Sequence, residues 1–142
     1  MATLSRRAVL EWHGDVMDGA GDVTAGTRAF AVPVTFPTTG GEAPGKTTPE
    51  ELLAASHATC YGIGLRSLIG RRGGRARRVT VTAEKGPSGI RVQSSHLSGE
   101  VEALEGVNHA QLQEIARETR ERCTISVALE GTAAITYDIV AR

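Results

Sequence analysis

The sequence has very few aromatic side chains. Its 142 residues include one Trp, two Tyr and two Phe, so the interior must be built mostly from Val, Leu, Ile and Ala. It has no net charge. Sixteen Lys and Arg cancel sixteen Asp and Glu, which removes the global electrostatic case for nucleic acid or an anionic membrane as the main partner. No apolar run reaches the roughly 18 residues of a membrane span. The segment Met1 to Arg7 lacks the apolar stretch of a secretory leader. A cytoplasmic chain with no membrane partner is therefore expected. Lysine is scarce, with Lys46 and Lys85 against fourteen Arg, a bias read as codon usage. There are two cysteines, Cys60 and Cys123. They form no CxxC and are too few for a zinc site or a disulfide scaffold. His13, His96 and His109 have no ligand spacing, and the sequence holds no P-loop, GxGxxG or HExxH. No metal and no resident cofactor is expected.

What is present reads as one domain spanning residues 1–142, with 40% hydrophobic residues, enough to argue against disorder. Arg7–His13 reads as a strand, Gly14–Gly21 as a turn, and Arg28–Phe36 as a β-rich run that Pro33 places at an edge. Pro37–Thr47 reads as a loop. A helix then starts with three agreeing signals: Thr48 as cap, Pro49 at the first helical position, and Glu51 closing a capping box with Thr48. Leu52–Ile69 is apolar or small on nearly every face, the pattern of a buried helix. Gly62 and Gly64 are expected to admit close packing of another backbone. Arg78–Lys85 alternates as a strand, Gly86–Gly89 is a hairpin turn, and Ile90–Ser95 and Leu97–Leu104 continue as strands. Asn108 caps a helix running to Arg122. A short helix over Ser126–Leu129 and a strand over Thr132–Val140 complete an α+β order with antiparallel sheets expected.

Four features are candidates for chemistry. Cys60 lies inside the apolar helix, where a thiol is ordinarily inert with a raised pKa unless a neighbour favours the thiolate. His57, one turn earlier on the same face, is such a neighbour if protonated. Cys123 sits at a helix junction, a more exposed kind of position, where a following helix start points N–H groups at the sulfur and Arg120 and Arg122 add positive charge. Glu50 is the freer of the two glutamates at the helix start. Arg71–Arg78 holds five arginines in eight residues, which offers a phosphate grip but reads more simply as a solvated turn.

These residues also form signatures. Thr47-Thr48-Pro49-Glu50-Glu51-Leu52-Leu53-Ala54-Ala55-Ser56-His57-Ala58-Thr59-Cys60 resembles the first signature of the OsmC/Ohr family, the osmotically inducible protein C and organic hydroperoxide resistance proteins. Cys123-Thr124-Ile125-Ser126 resembles its second, and Trp12-His13-Gly14-Asp15 resembles its first hairpin. The separation of 63 residues between the two cysteines also fits.

The resemblance implies an α+β fold in which antiparallel sheets wrap two long central helices of an intertwined homodimer. It implies a thiol peroxidase that reduces organic hydroperoxides to alcohols in oxidative stress defence. Cys60 resembles the peroxidatic cysteine and Cys123 the resolving one, so the two are expected to lie close. Glu50 resembles the glutamate that positions a catalytic arginine. The implied co-substrate is a dithiol reductant such as dihydrolipoamide or a lipoylated protein. The chain departs from the family at the arginine itself: the corresponding positions hold Met17 or Asp18 in one branch and Thr35 in the other. Arg28, Arg120 and Arg122 are the candidates to replace it. Glu50 and Cys60 are ten residues apart, about 15 Å along a straight helix, so Glu50 is expected to serve the Cys60 of the other subunit. A thiol-based redox sensor or small-molecule binding protein on the same fold is the second reading, and a nucleic-acid adaptor using Arg71–Arg78 the third.

Overall fold

The computed structural model describes residues 5–35, 45–86 and 91–142. The chain falls into two compact units, residues 1–52 and 53–142.

The first unit contains a three-stranded antiparallel sheet of β1 (Ala8–His13), β2 (Ala20–Ala25) and β3 (Ala31–Val34), in that order. Trp12 pairs with Gly21 across β1 and β2. Between these strands Gly14 takes φ 87°, a conformation that costs a side-chain-bearing residue about 1 kcal/mol or more. The Trp12 indole donates to the Asp15 carbonyl at 2.9 Å, and the Asp18 N–H donates to the Asp15 carboxylate at 2.7 Å. β2 is a strand that the sequence did not reveal: the expected Gly14–Gly21 turn overlaps its first two residues, Ala20 and Gly21. Pro33 does lie on an edge strand, as expected. Phe36, most of the Pro37–Thr47 loop, most of the Gly86–Gly89 turn and Ile90 lie outside the described residues.

The helix α1 (Pro49–Arg71) begins in the first unit and runs through 23 residues into the second. Its start is capped from two sides. The Thr48 hydroxyl accepts the Glu51 N–H at 3.2 Å, and the Glu51 carboxylate accepts the Thr47 hydroxyl at 2.8 Å. The reciprocal half of the expected capping box thus goes to Thr47. One stripe of α1 is buried (His57, Tyr61, Leu65, Leu68 and Ile69), where burial on nearly every face was expected. Ile63, on the other side, is 68% exposed. Gly62 and Gly64 meet side chains and not another backbone: a Cβ on Gly64 would stand 3.3 Å from the Thr119 methyl, and one on Gly62 would stand 3.5 Å from Val81.

The second unit contains β4 (Arg78–Lys85), β5 (Ser94–Glu102), α2 (His109–Arg122), α3 (Thr124–Leu129) and β6 (Ala134–Ala141). The sheet order is β4-β5-β6. β4 and β5 are antiparallel, but β6 runs parallel to β5, which corrects the expectation of antiparallel pairing throughout. The reason is the connection: α2 and α3 carry the chain back across the sheet between β5 and β6, and such a crossover delivers the next strand in the same direction. Leu97 and Val101 of β5, Ile139 of β6 and Leu112, Ile115 and Ala116 of α2 form the core with the buried stripe of α1. Each large side chain buried there contributes about 1.5–3 kcal/mol relative to exposure. α2 starts with a full capping box, in which Asn108 accepts the Gln111 N–H and the Gln111 side chain accepts the Asn108 N–H. Asn108→Ala is expected to cost about 1 kcal/mol, read as a lowered denaturant midpoint with an unchanged m-value.

Candidate active site

Three elements of the second unit converge on the two sulfurs. α1 supplies Cys60 and His57, the α2–α3 junction supplies Cys123 and Ser126, and the β4–β5 pair supplies Lys85 and Ser95. Cys123 forms both the end of α2 and the cap of α3. Its N–H donates to the Thr119 carbonyl at 2.8 Å, and its carbonyl accepts the Val127 N–H at 2.9 Å.

Both cysteines are free thiols, they line the same cavity, and each shifts the ionisation of the other. The expected proximity of Cys60 and Cys123 is therefore observed. Their burial is the reverse of expectation. Cys123 is 4% exposed and belongs to the core, whereas Cys60 is half-buried. The junction places Cys123 within the buried core cluster, while Cys60 packs against that cluster and stays partly exposed.

The two sulfurs hold protons differently. Burial pushes the Cys60 thiol up. Its hydrogen bond to Cys123 and the negative charge there push the same way, while the Ile125 and Thr124 N–H groups pull it back in part. Burial acts on Cys123 as well. Hydrogen bonds from His57, the Ser126 hydroxyl, the Ser126 N–H and Cys60 outweigh it and bring Cys123 down to about 6. The two sulfurs are coupled and titrate as one system, with the proton favoured on Cys60 and the charge on Cys123.

A cavity of about 320 Å³ opens on this pair. Cys60, Cys123, Ile63 and Gly64 line it, with Arg71 and Arg122 also on its wall. Cys60 and Ile63 give it an apolar side on α1, and the two guanidinium groups give it a cationic one.

His57 is fully buried. The sequence suggested Cys60 as its sulfur partner, yet the sulfur it pulls down is Cys123; its ring nitrogens meet Ser95 Oγ at 2.7 Å from Nδ1 and Ser126 Oγ at 2.8 Å from Nε2. Lys85 Nζ approaches the same Nδ1 at 2.8 Å and also donates to Ser95 Oγ. Ser95, Ser126 and Lys85 are site residues that the sequence did not single out. Among the suggested arginines, Arg122 reaches the cavity wall and pairs with Glu118 at 3.6 Å. Arg120 pairs with Glu130 at 3.7 Å. Arg28 lies in the first unit, in the turn after β2, at φ 65°. Glu50 also belongs to the first unit, in the first turn of α1. Because α1 is unbroken between Glu50 and Cys60, their ten-residue separation remains about 15 Å of helical rise.

The Arg71–Arg78 cluster largely carries its own counter-charges. Arg72 pairs with Glu118 at 2.7 Å, Arg75 with Glu105 at 3.1 Å, and Arg77 and Arg78 with Glu102 at 3.0 and 3.6 Å. Of the five, Arg71 is the one that faces the cavity. Among the described residues no group of three or more His, Cys, Asp or Glu side chains is placed to hold a metal ion, and no helix is long and apolar enough to cross a membrane.

Comparison with known proteins gives consistent results. A family described as OsmC-like protein matches residues 40–138. Over 142 residues the chain is 26% identical to the Peroxiredoxin OsmC of Escherichia coli (strain K12), covering 96% of this chain and 98% of that protein. An organic hydroperoxide resistance protein from Elizabethkingia anophelis superposes with a TM-score of 0.80 at 22% identity, over 100% of both chains. The organic hydroperoxide resistance protein OhrB of Bacillus subtilis superposes with a TM-score of 0.66 at 19% identity, over 98% of this chain and 100% of that one.

Proposed function

The chain belongs to the OsmC-like protein family, and from that premise we propose that it is a thiol-dependent peroxidase that reduces organic hydroperoxides to alcohols. Cys60 is the peroxidatic cysteine and Cys123 the resolving one. The observation that carries this reading is the pair itself: two free, electrostatically coupled sulfurs lining one open cavity with an apolar wall. A pair that close is poised to form a disulfide once one partner is oxidised, which protects the oxidised sulfur from further attack. Cys60 is the half-buried member, so it is the one a peroxide meets. The apolar wall formed with Ile63 favours an alkyl hydroperoxide over hydrogen peroxide. The names of the relatives, peroxiredoxin and organic hydroperoxide resistance protein, support the same reading.

The co-substrate is a dithiol such as dihydrolipoamide or a lipoylated protein, which reopens the disulfide by thiol exchange. The working form is a homodimer. The exposed apolar groups Val9, Leu10, Met17 and Ile63 support a covering partner. In that dimer Glu50 serves Cys60 of the partner subunit, since one straight helix holds the two residues of one chain apart. The place of action is the cytoplasm.

The test is consumption of an alkyl hydroperoxide with dihydrolipoamide as reductant, followed over many turnovers. The reading expects continuous consumption, faster than with hydrogen peroxide. One slow stoichiometric oxidation without cycling would make the chain a redox sensor instead.

A further inference from the structure

The short helix α3 has little of its own to hold it in place. It has six residues, well below the length at which a helix is stable alone. Cys123, its cap residue, makes no side-chain capping bond. Ile125 packs against the core only in part, and Val127 is half exposed. Ser126 is the one buried residue of the helix, at 0% exposure. The segment that follows Cys123 is therefore anchored in the interior through a hydroxyl.

That hydroxyl meets His57, which is also 0% exposed, with Oγ 2.8 Å from Nε2. His57 lies three residues before Cys60 on α1, and Ser126 lies three residues after Cys123. One hydrogen bond thus ties together the two cysteine-bearing segments, about one helical turn from each cysteine.

The imidazole ring is itself held from its other side. Ser95 Oγ of β5 lies 2.7 Å from Nδ1. Lys85 Nζ of β4 lies 2.8 Å from the same nitrogen and donates to Ser95 Oγ. An ammonium group has three donors and no acceptor, so Nδ1 accepts. The ring hydrogen then resides on Nε2 and is donated to Ser126 Oγ. A buried polar group left without a partner is costly, and no described buried side-chain polar atom lacks one. Swinging α3 away would strand the Nε2 hydrogen in the core, so the bond resists opening.

We propose that the His57–Ser126 hydrogen bond is the strut that keeps Cys123 within bonding range of Cys60, and that Lys85 and Ser95 fix the His57 ring in the orientation the strut needs. All four are positioning residues. The proposal rests on the reading of Cys60 and Cys123 as the peroxidatic and resolving pair and adds what makes the second sulfur able to resolve. A disulfide needs its Cα atoms within about 7 Å and a narrow range of dihedral angles. A junction free to swing would lower the effective concentration of one sulfur at the other.

That effective concentration is measurable, because it sets the stability of the Cys60–Cys123 disulfide against a dithiol in solution. In the exchange the two cysteines give up two electrons and two protons and join as a disulfide. Oxidised dithiothreitol takes both, and its own S–S bond opens to two thiols.

The test equilibrates the full-length protein with mixtures of reduced and oxidised dithiothreitol and reads the disulfide fraction by alkylation and intact mass. Ser126→Ala is expected to lower the equilibrium constant for the disulfide about tenfold, a rise in reduction potential of about 30 mV for a two-electron couple. Ser126→Thr keeps the hydroxyl and restores much of the loss. Lys85→Met shifts the potential the same way by less. Asn108→Ala loosens the fold at the far end of α2 and leaves the potential in place, because a general loss of stability touches the reduced and oxidised forms alike. Should Ser126→Ala not fold, Lys85→Met decides. Potentials for Ser126→Ala and Lys85→Met that match the unmodified chain, or an equal shift from Asn108→Ala, would overturn the proposal. A chain that forms no disulfide at any ratio would overturn it together with the pair. The equilibrium consumes no peroxide. If the potentials move as expected while the unmodified chain fails to consume hydroperoxide, the strut stands and the peroxidase reading falls.

Discussion

Cys60→Ser is expected to lower the rate of alkyl hydroperoxide reduction by roughly 10³-fold or more. A serine hydroxyl in the same place is a far weaker nucleophile than a thiolate and cannot form a sulfenic acid. Nothing else nearby replaces it, because the other sulfur, Cys123, is buried in the core at 4% exposure. The loss should appear in the first oxidation, read by stopped-flow, and not only in the steady state. The protein should still fold, since Cys60 is half-buried and serine differs by one atom. An unfolding midpoint close to that of the unmodified chain separates a chemical loss from a structural one. Retention of the full rate would place the chemistry elsewhere.

Cys123→Ser is expected to act differently and nearly as severely. With the dithiol withheld, Cys60 can react once, but no resolving thiol waits beside it. The sulfenic acid then stays exposed to more peroxide and climbs to the sulfinic and sulfonic acids. Intact mass should show successive oxygen additions confined to the peptide carrying Cys60. The unmodified chain should instead lose two hydrogens and gain no oxygen. Burial pushes the Cys60 thiol up, so the rate of the first oxidation is expected to rise with pH into the alkaline range as the thiolate forms.

Much of this site can be read from particular residues of the sequence. Thr48 and Pro49 announce the start of α1, and Asn108 announces α2, because capping is local chemistry. The separation of Cys60 from Cys123, with their flanking residues, identifies the family and hence the proximity of the sulfurs. Other features depend on partners distant in the chain. β2 is hidden because Gly21 and Asp22 are strand residues only when Trp12 and Pro33 lie opposite them. The parallel pairing of β5 with β6 depends on how α2 and α3 cross the sheet, which no local pattern encodes. The relative burial of the cysteines inverts for the same reason: Cys123 turns inward at a junction whose direction is set by the core. Ser95 did leave a signal. It alternates with Leu97 and Val101 on the buried face of β5, so it is a hydroxyl in an apolar row. Ser126 lies one turn after Cys123, inside the second signature. Lys85, one of two lysines in the chain, ends the alternating strand beside them. None of these reads as a site until the fold brings His57 between them.

The central claim is that Cys60 and Cys123 act as one redox pair, and the most direct test is to map the thiols after a single equivalent of alkyl hydroperoxide without reductant. The account predicts rapid formation of an intramolecular Cys60–Cys123 disulfide, one per equivalent consumed, with both thiols recovered on adding a dithiol. Peroxide left unconsumed, or oxidation of Cys60 with Cys123 still a free thiol, would contradict it.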